Sequence, residues 1–327
     1  MKICIFGAGA IGGMAAVRLA RAGHEVSVVA RGAHLAAIRA HGLTVVKGDA
    51  RETARVHASD QPGDLGPQDS VIITLKAHSL AIAAPDIAPL LGHATTVVTA
   101  MNGIPWWFFR HWGGKLENTQ LAACDPDGRI AGALRHDRII GGVVFQAAYV
   151  SAPGVIHHTS GNRILLGEPS GAASPRAQEL VDALAGAGVE ASLSRNIHQD
   201  IWYKLMGNVC YNPVSVLTMA HSDTMLADPY MHRMFAAMMR EFMALGEALG
   251  FTFASSIEER IATTRRLGHI KTSMLQDVEA GRPIELDAIV GAVVEIAEKL
   301  ALPIPTIEAI FGLVRQRGAT LGLYTPR

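Results

Sequence analysis

The sequence predicts an α/β protein in which a Rossmann-type dinucleotide-binding domain is followed by an all-helical domain. Short apolar runs alternate with helical patterns as far as about residue 170. A glycine-rich turn follows the first of these runs, and only helical patterns follow residue 197. Because a chain of 327 residues is long enough for two hydrophobic cores, we expect two domains, at residues 1–195 and 196–327.

The N-terminal pattern is strand, tight turn, helix and strand. Residues 2–6 form an apolar run that stops at Gly7, residues 10–22 carry small and apolar side chains at helical spacing, and a valine-rich run occupies 25–30. This βαβ unit of about 30 residues has the size of a dinucleotide-binding unit. Further strands of a buried, largely parallel sheet are predicted at 70–75, 95–100, 139–150 and 163–167.

Helical patterns dominate the second half of the chain. They occupy 228–249, 256–267 and 284–300, separated by single glycines and by a Gly-Arg-Pro turn. The second domain is therefore expected to be helical throughout.

Composition excludes several classes of protein. Basic and acidic residues both number 29, so no net field would recruit nucleic acid or an anionic membrane. No run of about 20 apolar residues could span a bilayer, and the chain enters a strand pattern at once, so we expect neither a membrane segment nor a cleaved leader. Cys4, Cys124 and Cys210 lack C-x-x-C spacing, and the His157-His158 pair, expected in the connection before the last strand, lacks a partner at metal-ligand spacing. These observations favour a cytoplasmic protein without a metal site, and the mean hydropathy of +0.23 is compatible with a homodimer.

A G-x-G-x-x-G motif lies between the first predicted strand and the first helix. In Gly7-Ala8-Gly9-Ala10-Ile11-Gly12, the first glycine permits a sharp turn, the second lets the backbone approach a pyrophosphate, and the third allows close packing of helix on sheet. The helix N-terminus supplies unpaired N–H groups and a positive dipole. An ordinary glycine-rich turn is the alternative, but the strand context favours a dinucleotide site formed by all six residues.

The end of the second predicted strand indicates which dinucleotide binds. A site for NAD or FAD normally offers a carboxylate to the ribose hydroxyls about 20 residues after the glycines. Here the strand ends in Val28-Val29-Ala30-Arg31-Gly32, and no acidic residue occurs from 26 to 35. A guanidinium at this place would contact the 2′-phosphate of NADP. Arg31 could also be a surface arginine, but the missing acid favours NADP.

Three polar residues recur at helical spacing in the second half. Lys204, Asn208 and Asn212 lie at i, i+4 and i+8, so on a helix they share one face. Buried polar groups are costly unless they are hydrogen-bonded, so such a stripe requires partners. The spacing alone is equally compatible with an exposed polar face, on which Pro213 ends the helix and Asn212 caps it.

Further short motifs follow in a fixed order. They are Thr74-Leu75-Lys76-Ala77, Met101-Asn102-Gly103, Trp202-Tyr203-Lys204-Leu205-Met206-Gly207-Asn208 with Asn212-Pro213, Lys271-Thr272-Ser273-Met274-Leu275-Gln276-Asp277, and Ile284-Glu285-Leu286-Asp287. In this order the chain resembles the ketopantoate reductase family over nearly its whole length. The resemblance implies a Rossmann domain and a helical domain with the site in the cleft between them. It also implies reduction of a small 2-keto acid by NADPH, with 2-dehydropantoate, the precursor of pantoate in pantothenate biosynthesis, as the expected substrate.

The resemblance also assigns roles in the helical half. Lys204 is the expected general acid, which protonates the carbonyl oxygen as hydride arrives, because an ammonium can both stabilise and protonate a developing alkoxide. Glu285 corresponds to the family's acid near that lysine and the cofactor, and Asn208 and Asn212 correspond to substrate-binding amides. As a simpler alternative, Glu285 could occupy the first turn of a helix after Pro283.

Three more residues match the family pattern. Asn102, at the carboxyl end of a predicted strand, is expected to bind substrate and cofactor, although an Asn-Gly pair also forms turns. Ser273 is expected to donate to the substrate carboxylate, but could be a helix cap. Lys76 is expected near the cofactor, but could be a solvated residue that opens the next helix.

Two segments depart from the family pattern. The run 104–109, Ile-Pro-Trp-Trp-Phe-Phe, could narrow the substrate pocket or form an interface, and it begins an insertion that reaches about Asp137. Ser222 stands where the family often has a further asparagine. These departures leave open a paralogue that acts on another 2-keto acid or an imine. A nonenzymatic NADPH sensor is disfavoured, because a sensor has no use for a proton donor.

Overall fold

Residues 1–325 are described by the structure, a computed structural model. They form two compact units. Unit 1 consists of Met1–Met101, Pro105–Thr119 and Asp127–Asp200, and unit 2 consists of Asn102–Ile104, Gln120–Pro126 and the residues from Ile201 onward. None of the helices within the described part of the chain is both long and apolar enough to cross a membrane.

Unit 1 is built on one sheet, to which ten strands contribute within residues 1–325. The strands are β1 (Lys2–Phe6), β2 (Glu25–Val29), β3 (Leu43–Lys47), β4 (Ala50–Ala54), β5 (His57–Ser59), β6 (Gln68–Ile73), β7 (Leu91–Thr99), β8 (Ile139–Ala152), β9 (Val155–Gly167) and β10 (Glu190–Leu193). Six of them run parallel in the order β5-β2-β1-β6-β7-β8, the strand order of doubly wound dinucleotide-binding folds. The predicted fold class is confirmed.

The sheet continues beyond these six strands through β9, which is antiparallel to β8. Strand β9 pairs in parallel with β3 and β10, and β4 is antiparallel to β3. The expectation that His157 and His158 lie in a connection is wrong, because β9 already begins at Val155. The first part of β9 alternates buried and more exposed side chains. It is not a continuous apolar run, so the sequence pattern did not predict a strand there. His158 is buried and its Nε2 contacts the carbonyl oxygen of Ser160 at 3.2 Å, which supports a structural interpretation.

The carboxyl ends of three central strands lie level with one another. Phe6, the last residue of β1, pairs with Val29 of β2 and with Ile73 of β6. The segments that follow these strands therefore emerge at the same edge of the sheet. Open α/β sheets bind ligands at this edge, beside the point where the strand order reverses.

Five α-helices of the described chain belong wholly to unit 1. They are α1 (Ala10–Arg21), α2 (Gly32–His41), α3 (Ala77–Ala83), α4 (Arg129–Ala133) and α5 (Pro175–Gly186). The apolar face of α1, with Met14 and Leu19 fully buried, packs into a core that also contains Ile5 and Val28 of the sheet. Burial of this face, at about 25 cal/mol per Å² of apolar surface, stabilises the motif-bearing end of β1.

The chain passes from unit 1 into unit 2 within a long helix. Within the described residues the helices from that point are α6 (Ile197–Thr218), α7 (Ser222–Ala227), α8 (Pro229–Ala248), α9 (Ile257–Arg266), α10 (Ser273–Glu279), the π-helix Asp287–Gly291, α11 (Ala292–Leu300) and α12 (Pro305–Thr320). Side-chain caps begin three of them: Asp228 begins α8, Ser256 begins α9 and Thr272 begins α10. The helices predicted at 228–249 and 256–267 are confirmed within one residue at each end.

The helix predicted at 284–300 begins later than expected. Residues 282–285 are not helical, and the chain forms a π-helix before α11 begins. Glu285 therefore precedes the helix and does not occupy its first turn. Ile284 is apolar and was therefore included in the predicted helix. In the structure it is buried but not helical.

Helix α6 runs through Pro213 to Thr218. A proline removes one backbone N–H and normally ends or kinks a helix. Here the residues around it are buried in unit 2, so tertiary packing stabilises the helix across this position. The alternative in which Asn212 caps the end of a helix is therefore wrong.

Candidate active site

The glycine-rich turn of unit 1 has the geometry that its motif requires. Gly7 adopts a φ of +110°, which side-chain-bearing residues rarely take. A Cβ on Gly12 would overlap the carbonyl oxygen of Gly7 and the hydroxyl of Thr74, so only glycine lets α1 approach the sheet this closely. A Cβ on Gly9 would meet no described atom within 4 Å. The turn is thus closed on its inner side and open above Gly9.

The open side of this turn fits the pyrophosphate of a dinucleotide. Helix α1 begins at Ala10 with Gly9 as its N-cap, and its first turn contains no acidic residue. The first N–H groups of a helix have no acceptor within the helix, and the helix dipole adds positive potential there. The N–H groups of Gly7 and Ala8 donate to the carbonyl oxygen of Val29 at 3.3 and 3.2 Å. The donors available to an anion are therefore those from Gly9 into the first turn of α1, where no carboxylate competes.

Two basic residues lie at the same edge of the sheet. Arg31 follows β2 as the N-cap of α2, and its exposed guanidinium lies 3.6 Å from the carboxylate of Asp86. Exposed ion pairs contribute little free energy, so a phosphate group can compete for this guanidinium. Lys76 follows β6 and is the N-cap of α3, so it opens this helix, but it is half-buried and not fully solvated.

Lys204 and Asn102 form a hydrogen-bonded pair in unit 2. The ammonium Nζ of Lys204 donates to Asn102 Oδ1 at 2.7 Å, although 102 positions separate the two residues. The Lys204 side chain keeps some exposure, but its ammonium is enclosed by protein. Burial lowers the pKa of Lys204 from 10.5 to about 8, and the negative charge of Glu285 acts in the opposite direction. A lysine whose pKa lies near neutrality is suited to general acid catalysis.

The backbone around Asn102 is anchored on the π-helix. The N–H of Ile104 donates to the carbonyl oxygen of Ala288 at 2.8 Å, and the thiol of Cys124 donates to the carbonyl oxygen of Ile104 at 3.0 Å. Gly103 has a φ of +84°, and a Cβ there would lie 2.5 Å from the Ala288 carbonyl oxygen. The Ala288 carbonyl that accepts this hydrogen bond belongs to the π-helix, a rare backbone form that is frequent at functional sites. The Asn-Gly pair thus forms a turn and also positions the Asn102 amide that contacts Lys204.

A second contact anchors the other short segment of unit 2. The carboxylate of Glu295 accepts hydrogen bonds from the backbone N–H groups of Ala122 at 3.1 Å and Ala123 at 3.0 Å. Hydrogen bonds to a charged acceptor are among the stronger ones. Helix α11 therefore holds the segment that carries Cys124, and through it the backbone of Ile104.

The two asparagines of the predicted stripe share the Lys204 face of α6. Asn208 is half-buried, whereas Asn212 is 5% exposed. The Nδ2 of Asn212 has no hydrogen-bond partner among residues 1–325. Because an unsatisfied buried donor costs free energy, a ligand oxygen that accepts from Asn212 would be favoured.

A chain of hydroxyl groups connects α6 to the start of α10. The Ser215 hydroxyl donates to the Asn212 carbonyl oxygen at 2.7 Å and lies 2.6 Å from the Thr272 hydroxyl, which accepts from the N–H of Leu275 at 3.1 Å. Each hydroxyl has only one proton, so Thr272 must donate to Ser215. This chain fixes the residue after Thr272, Ser273, whose side chain is exposed at the first position of α10. The N-cap is Thr272 and not Ser273, so the simpler explanation given for Ser273 is wrong.

Glu285 and Ser222 are both buried in unit 2, with exposures of 5% and 2%. Glu285 acts on Lys204 through its charge. The Ser222 hydroxyl donates to the carbonyl oxygen of Gly268 at 2.8 Å, and its N–H donates to that of Ile270 at 3.0 Å. Ser222 therefore fixes the loop that leads to α10.

The aromatic run after Asn102 belongs to the interior of unit 1. All four of its rings, from Trp106 to Phe109, are at most 8% exposed, so the expectation of an interface patch is wrong. His198 contacts the rings of Trp107, Phe108 and Trp112 with centroid separations of 5.5, 5.0 and 4.9 Å. Burial in this aromatic environment lowers the pKa of His198 to about 4.

Sequence reasoning missed the residues that hold the site residues in place. Ser215, Cys124 and Glu295 are ordinary residue types that no motif marks, and Thr272 lies within the motif at 271–277 but received no role from it. Only the position of Thr272 three residues before Leu275, typical of an N-cap, carried a signal. Their contacts join segments that are distant in sequence, which local patterns do not show.

Comparison with known proteins gives a consistent result. The family model for ketopantoate reductase PanE/ApbA matches residues 3–171, and the model for its C-terminal part matches 196–318. A 2-dehydropantoate 2-reductase from Mesorhizobium japonicum is 47% identical over 99% of this chain and 100% of its own length. The solved structure of a candidate ketopantoate reductase from Ralstonia solanacearum shares 46% identity and a TM-score of 0.94, with 99% of each chain covered. A D-mandelate dehydrogenase solved with NADH and anilino(oxo)acetate, at 23% identity, a TM-score of 0.84 and coverage of 99% and 100%, shares the fold alone.

Proposed function

Because this chain belongs to the ketopantoate reductase family, we propose that it reduces the 2-keto group of 2-dehydropantoate to the hydroxyl group of pantoate, with NADPH as the reductant. The observation that carries the proposal is the enclosed Lys204 ammonium, hydrogen-bonded to Asn102 at 2.7 Å. NADPH supplies a hydride to the keto carbon when it is bound. The carbonyl oxygen then needs a proton, and the chain must provide its donor.

Lys204 is the proposed donor. With a pKa of about 8 it is mostly charged at neutral pH, yet it releases a proton more readily than an ordinary lysine. Asn102 Oδ1 accepts from Nζ, which directs one of the three N–H groups of the ammonium. The negative charge of Glu285 favours the charged form of the ammonium before the proton is transferred.

The substrate carboxylate and hydroxyl groups need donors of their own. Asn212 offers a buried Nδ2, Asn208 lies one helical turn away on the same face, and the exposed hydroxyl of Ser273 begins α10. These three groups are the proposed substrate ligands. All three lie on α6 or α10, the two helices that the hydrogen bond between the Ser215 and Thr272 hydroxyls connects.

The proposed dinucleotide site is the turn 7–12 together with Arg31 and Lys76. The turn offers backbone donors to a pyrophosphate that NADPH and NADH both contain. Arg31 offers a guanidinium to the 2′-phosphate that only NADPH contains. Arg31→Ala should therefore raise the Kd for NADPH about 10-fold and leave that for NADH unchanged, as measured by fluorescence titration. Equal effects on both cofactors would contradict this assignment.

The test of the whole function is steady-state oxidation of NADPH with 2-dehydropantoate and with a panel of other 2-keto acids and imines. We expect kcat/KM to be highest for 2-dehydropantoate. Preference for another panel member would identify a paralogue with the same chemistry. NADPH binding without turnover on any member would identify a sensor and overturn the proposal.

We also propose a cytoplasmic location and a homodimer. All three cysteines are buried free thiols, in keeping with a reducing compartment. Unit 2 exposes large apolar side chains, among them Tyr230, Leu267 and Leu313, which a second copy of the chain could cover. Light scattering coupled to size-exclusion chromatography measures the mass, and a monomer would refute the dimer.

A further inference from the structure

A histidine outside the glycine motif contacts the motif directly. His34, half-buried on α2, has its Nε2 2.7 Å from the carbonyl oxygen of Ala8. Its other ring nitrogen, Nδ1, accepts a hydrogen bond from the backbone N–H of Gly154 at 3.0 Å. Gly154 lies in the turn between β8 and β9. One imidazole thus connects the dinucleotide turn to a distant hairpin of unit 1.

The two neighbours fix the protonation of this ring. The Gly154 N–H can only donate, so Nδ1 must be the unprotonated nitrogen. The Ala8 carbonyl oxygen can only accept, so Nε2 must carry the proton. Both contacts require the same neutral tautomer, with the proton on Nε2.

The hairpin turn is itself fixed at this place. The carbonyl oxygen of Gly154 accepts from the N–H of Thr44 on β3 at 2.8 Å. Gly154 has a φ of +76°, and a Cβ there would lie 3.3 Å from Ala37 on α2. The N–H that orients His34 therefore comes from a segment held by both β3 and α2.

The contact with Ala8 determines where the next N–H points. The carbonyl of Ala8 and the N–H of Gly9 belong to one planar trans peptide and point in opposite directions. A donor that holds the carbonyl therefore also sets the direction of the N–H. Because Gly9 has no Cβ, its backbone is freer to rotate than that of any other residue type.

The neighbouring carbonyl groups are held in the same manner. The Thr74 hydroxyl donates to the Gly7 carbonyl oxygen at 2.6 Å, and the N–H of Gly13 donates to that of Gly9 at 2.7 Å. With His34 on Ala8, three consecutive carbonyl groups point into the protein. The N–H groups of Gly7 and Ala8 donate to the carbonyl oxygen of Val29, so the N–H groups left for the open side are those from Gly9 into the first turn of α1.

We propose that His34 is a positioning residue for dinucleotide binding, which holds the Ala8–Gly9 peptide so that the Gly9 N–H faces the pyrophosphate. The inference rests on the proposed NADPH function and adds a residue outside the glycine motif to it. The pyrophosphate is common to both nicotinamide dinucleotides, so loss of His34 weakens NADPH and NADH alike. Loss of Arg31 weakens only NADPH, and the two effects are therefore separable.

The test compares three variants of the full chain with wild type. His34→Ala removes both contacts, His34→Gln keeps an amide donor and an amide acceptor, and His41→Gln is a matched control on the same helix, where the side chain is exposed. We expect His34→Ala to raise the Kd for both dinucleotides by about 5- to 10-fold, the effect of one or two lost hydrogen bonds. His34→Gln should recover most of the affinity, and His41→Gln should match wild type. At saturating NADPH, kcat should stay within about 2-fold of wild type in all three.

A readout on the ligand-free protein separates this inference from the proposed function. Nitrogen-15 NMR of the imidazole distinguishes a protonated Nε2 from a protonated Nδ1. We expect the Nε2–H form in wild type, and the opposite tautomer would overturn the inference whether or not the protein binds a dinucleotide. An unchanged Kd in His34→Ala, with wild type binding NADPH tightly, would overturn it while leaving the reductase function intact. If His34→Ala does not fold, the test rests on His34→Gln. Near-normal affinity of this variant for both dinucleotides supports the positioning role, and a rise in Kd as large as that expected for His34→Ala overturns it.

Discussion

Replacing Glu285 by glutamine should shift the pH dependence of turnover without removing the proton donor. Burial lowers the pKa of Lys204 to about 8, and the charge of Glu285 opposes this effect. An opposite charge nearby commonly changes a pKa by about 1 unit or more. The pKa of Lys204 in the variant should therefore fall to about 7.

The size of the effect follows from the charged fraction of the lysine. At a pKa of about 8 roughly 90% of Lys204 is protonated at pH 7, and at a pKa of about 7 roughly half is. The value of kcat/KM in Glu285→Gln should thus fall about 2-fold at pH 7 and about 10-fold at pH 9, with little change at pH 6. A loss of kcat/KM that grows with pH is expected when the pKa of the general acid has been lowered.

The assay is the initial rate of NADPH oxidation with 2-dehydropantoate at saturating NADPH, from about pH 6 to about pH 10. Glu298→Gln, an exposed glutamate on α11, is the matched control and should leave the profile unchanged. A Glu285→Gln profile reduced by one factor at every pH would show that Glu285 does not act through the charge of Lys204. The reasoning about the general acid would then be refuted.

Three other substitutions give distinct outcomes. Lys204→Ala should lower kcat by about 10²- to 10⁴-fold with an unchanged NADPH Kd, and retained turnover would remove this residue from the mechanism. Ser215→Ala breaks the hydroxyl chain and should raise the KM for the keto acid and lower the free energy of unfolding by about 1–3 kcal/mol. Thr218→Ala, which loses only a hydrogen bond within its own helix, should change neither quantity. A KM for Ser215→Ala equal to that of wild type would contradict the positioning role. His198 stays neutral in the folded protein down to about pH 4, whereas the unfolded chain binds a proton below about pH 6.5, so stability falls as the pH drops through this window. His198→Leu should reduce the difference in unfolding free energy between pH 7 and pH 5 by about 2 kcal/mol in urea titrations, and an unchanged difference would show that this histidine does not titrate as expected.

The sequence predicted the parts of the fold that depend on local patterns. The run 2–6, the turn at Gly7 and the following helix appear where the periodicity indicated them, because each is specified by adjacent residues. The same holds for α8 and α9, which have strong cap residues at their N-termini. Strands β3 and β4 were not foreseen, since β4 is largely exposed and its polar sequence offers no apolar pattern.

The site could be predicted only in part. The stripe on α6 and the Asn-Gly pair suggested functional amides, and the family resemblance added Lys204 as the acid. The structure brings Asn102 and Lys204 together. The sequence could not show that a π-helix would hold the backbone N–H of Ile104, because this hydrogen bond joins segments about 185 positions apart and depends on a rare backbone form. The contact of His34 with Ala8 joins residues 26 positions apart, and local patterns do not show a contact of this kind.

The discontinuity of unit 2 limits how the polypeptide can be divided. Asn102–Ile104 and Gln120–Pro126 fold with unit 2, although both precede the last strands of unit 1 in the chain. A fragment that starts at Ile201 would lack the acceptor amide for Lys204 and the backbone donors for Glu295. On the ribosome, these two peptides emerge early and find their binding surfaces only after the C-terminal helices have been synthesised. Recombination between relatives must therefore exchange three separate stretches of the gene to transfer unit 2 intact.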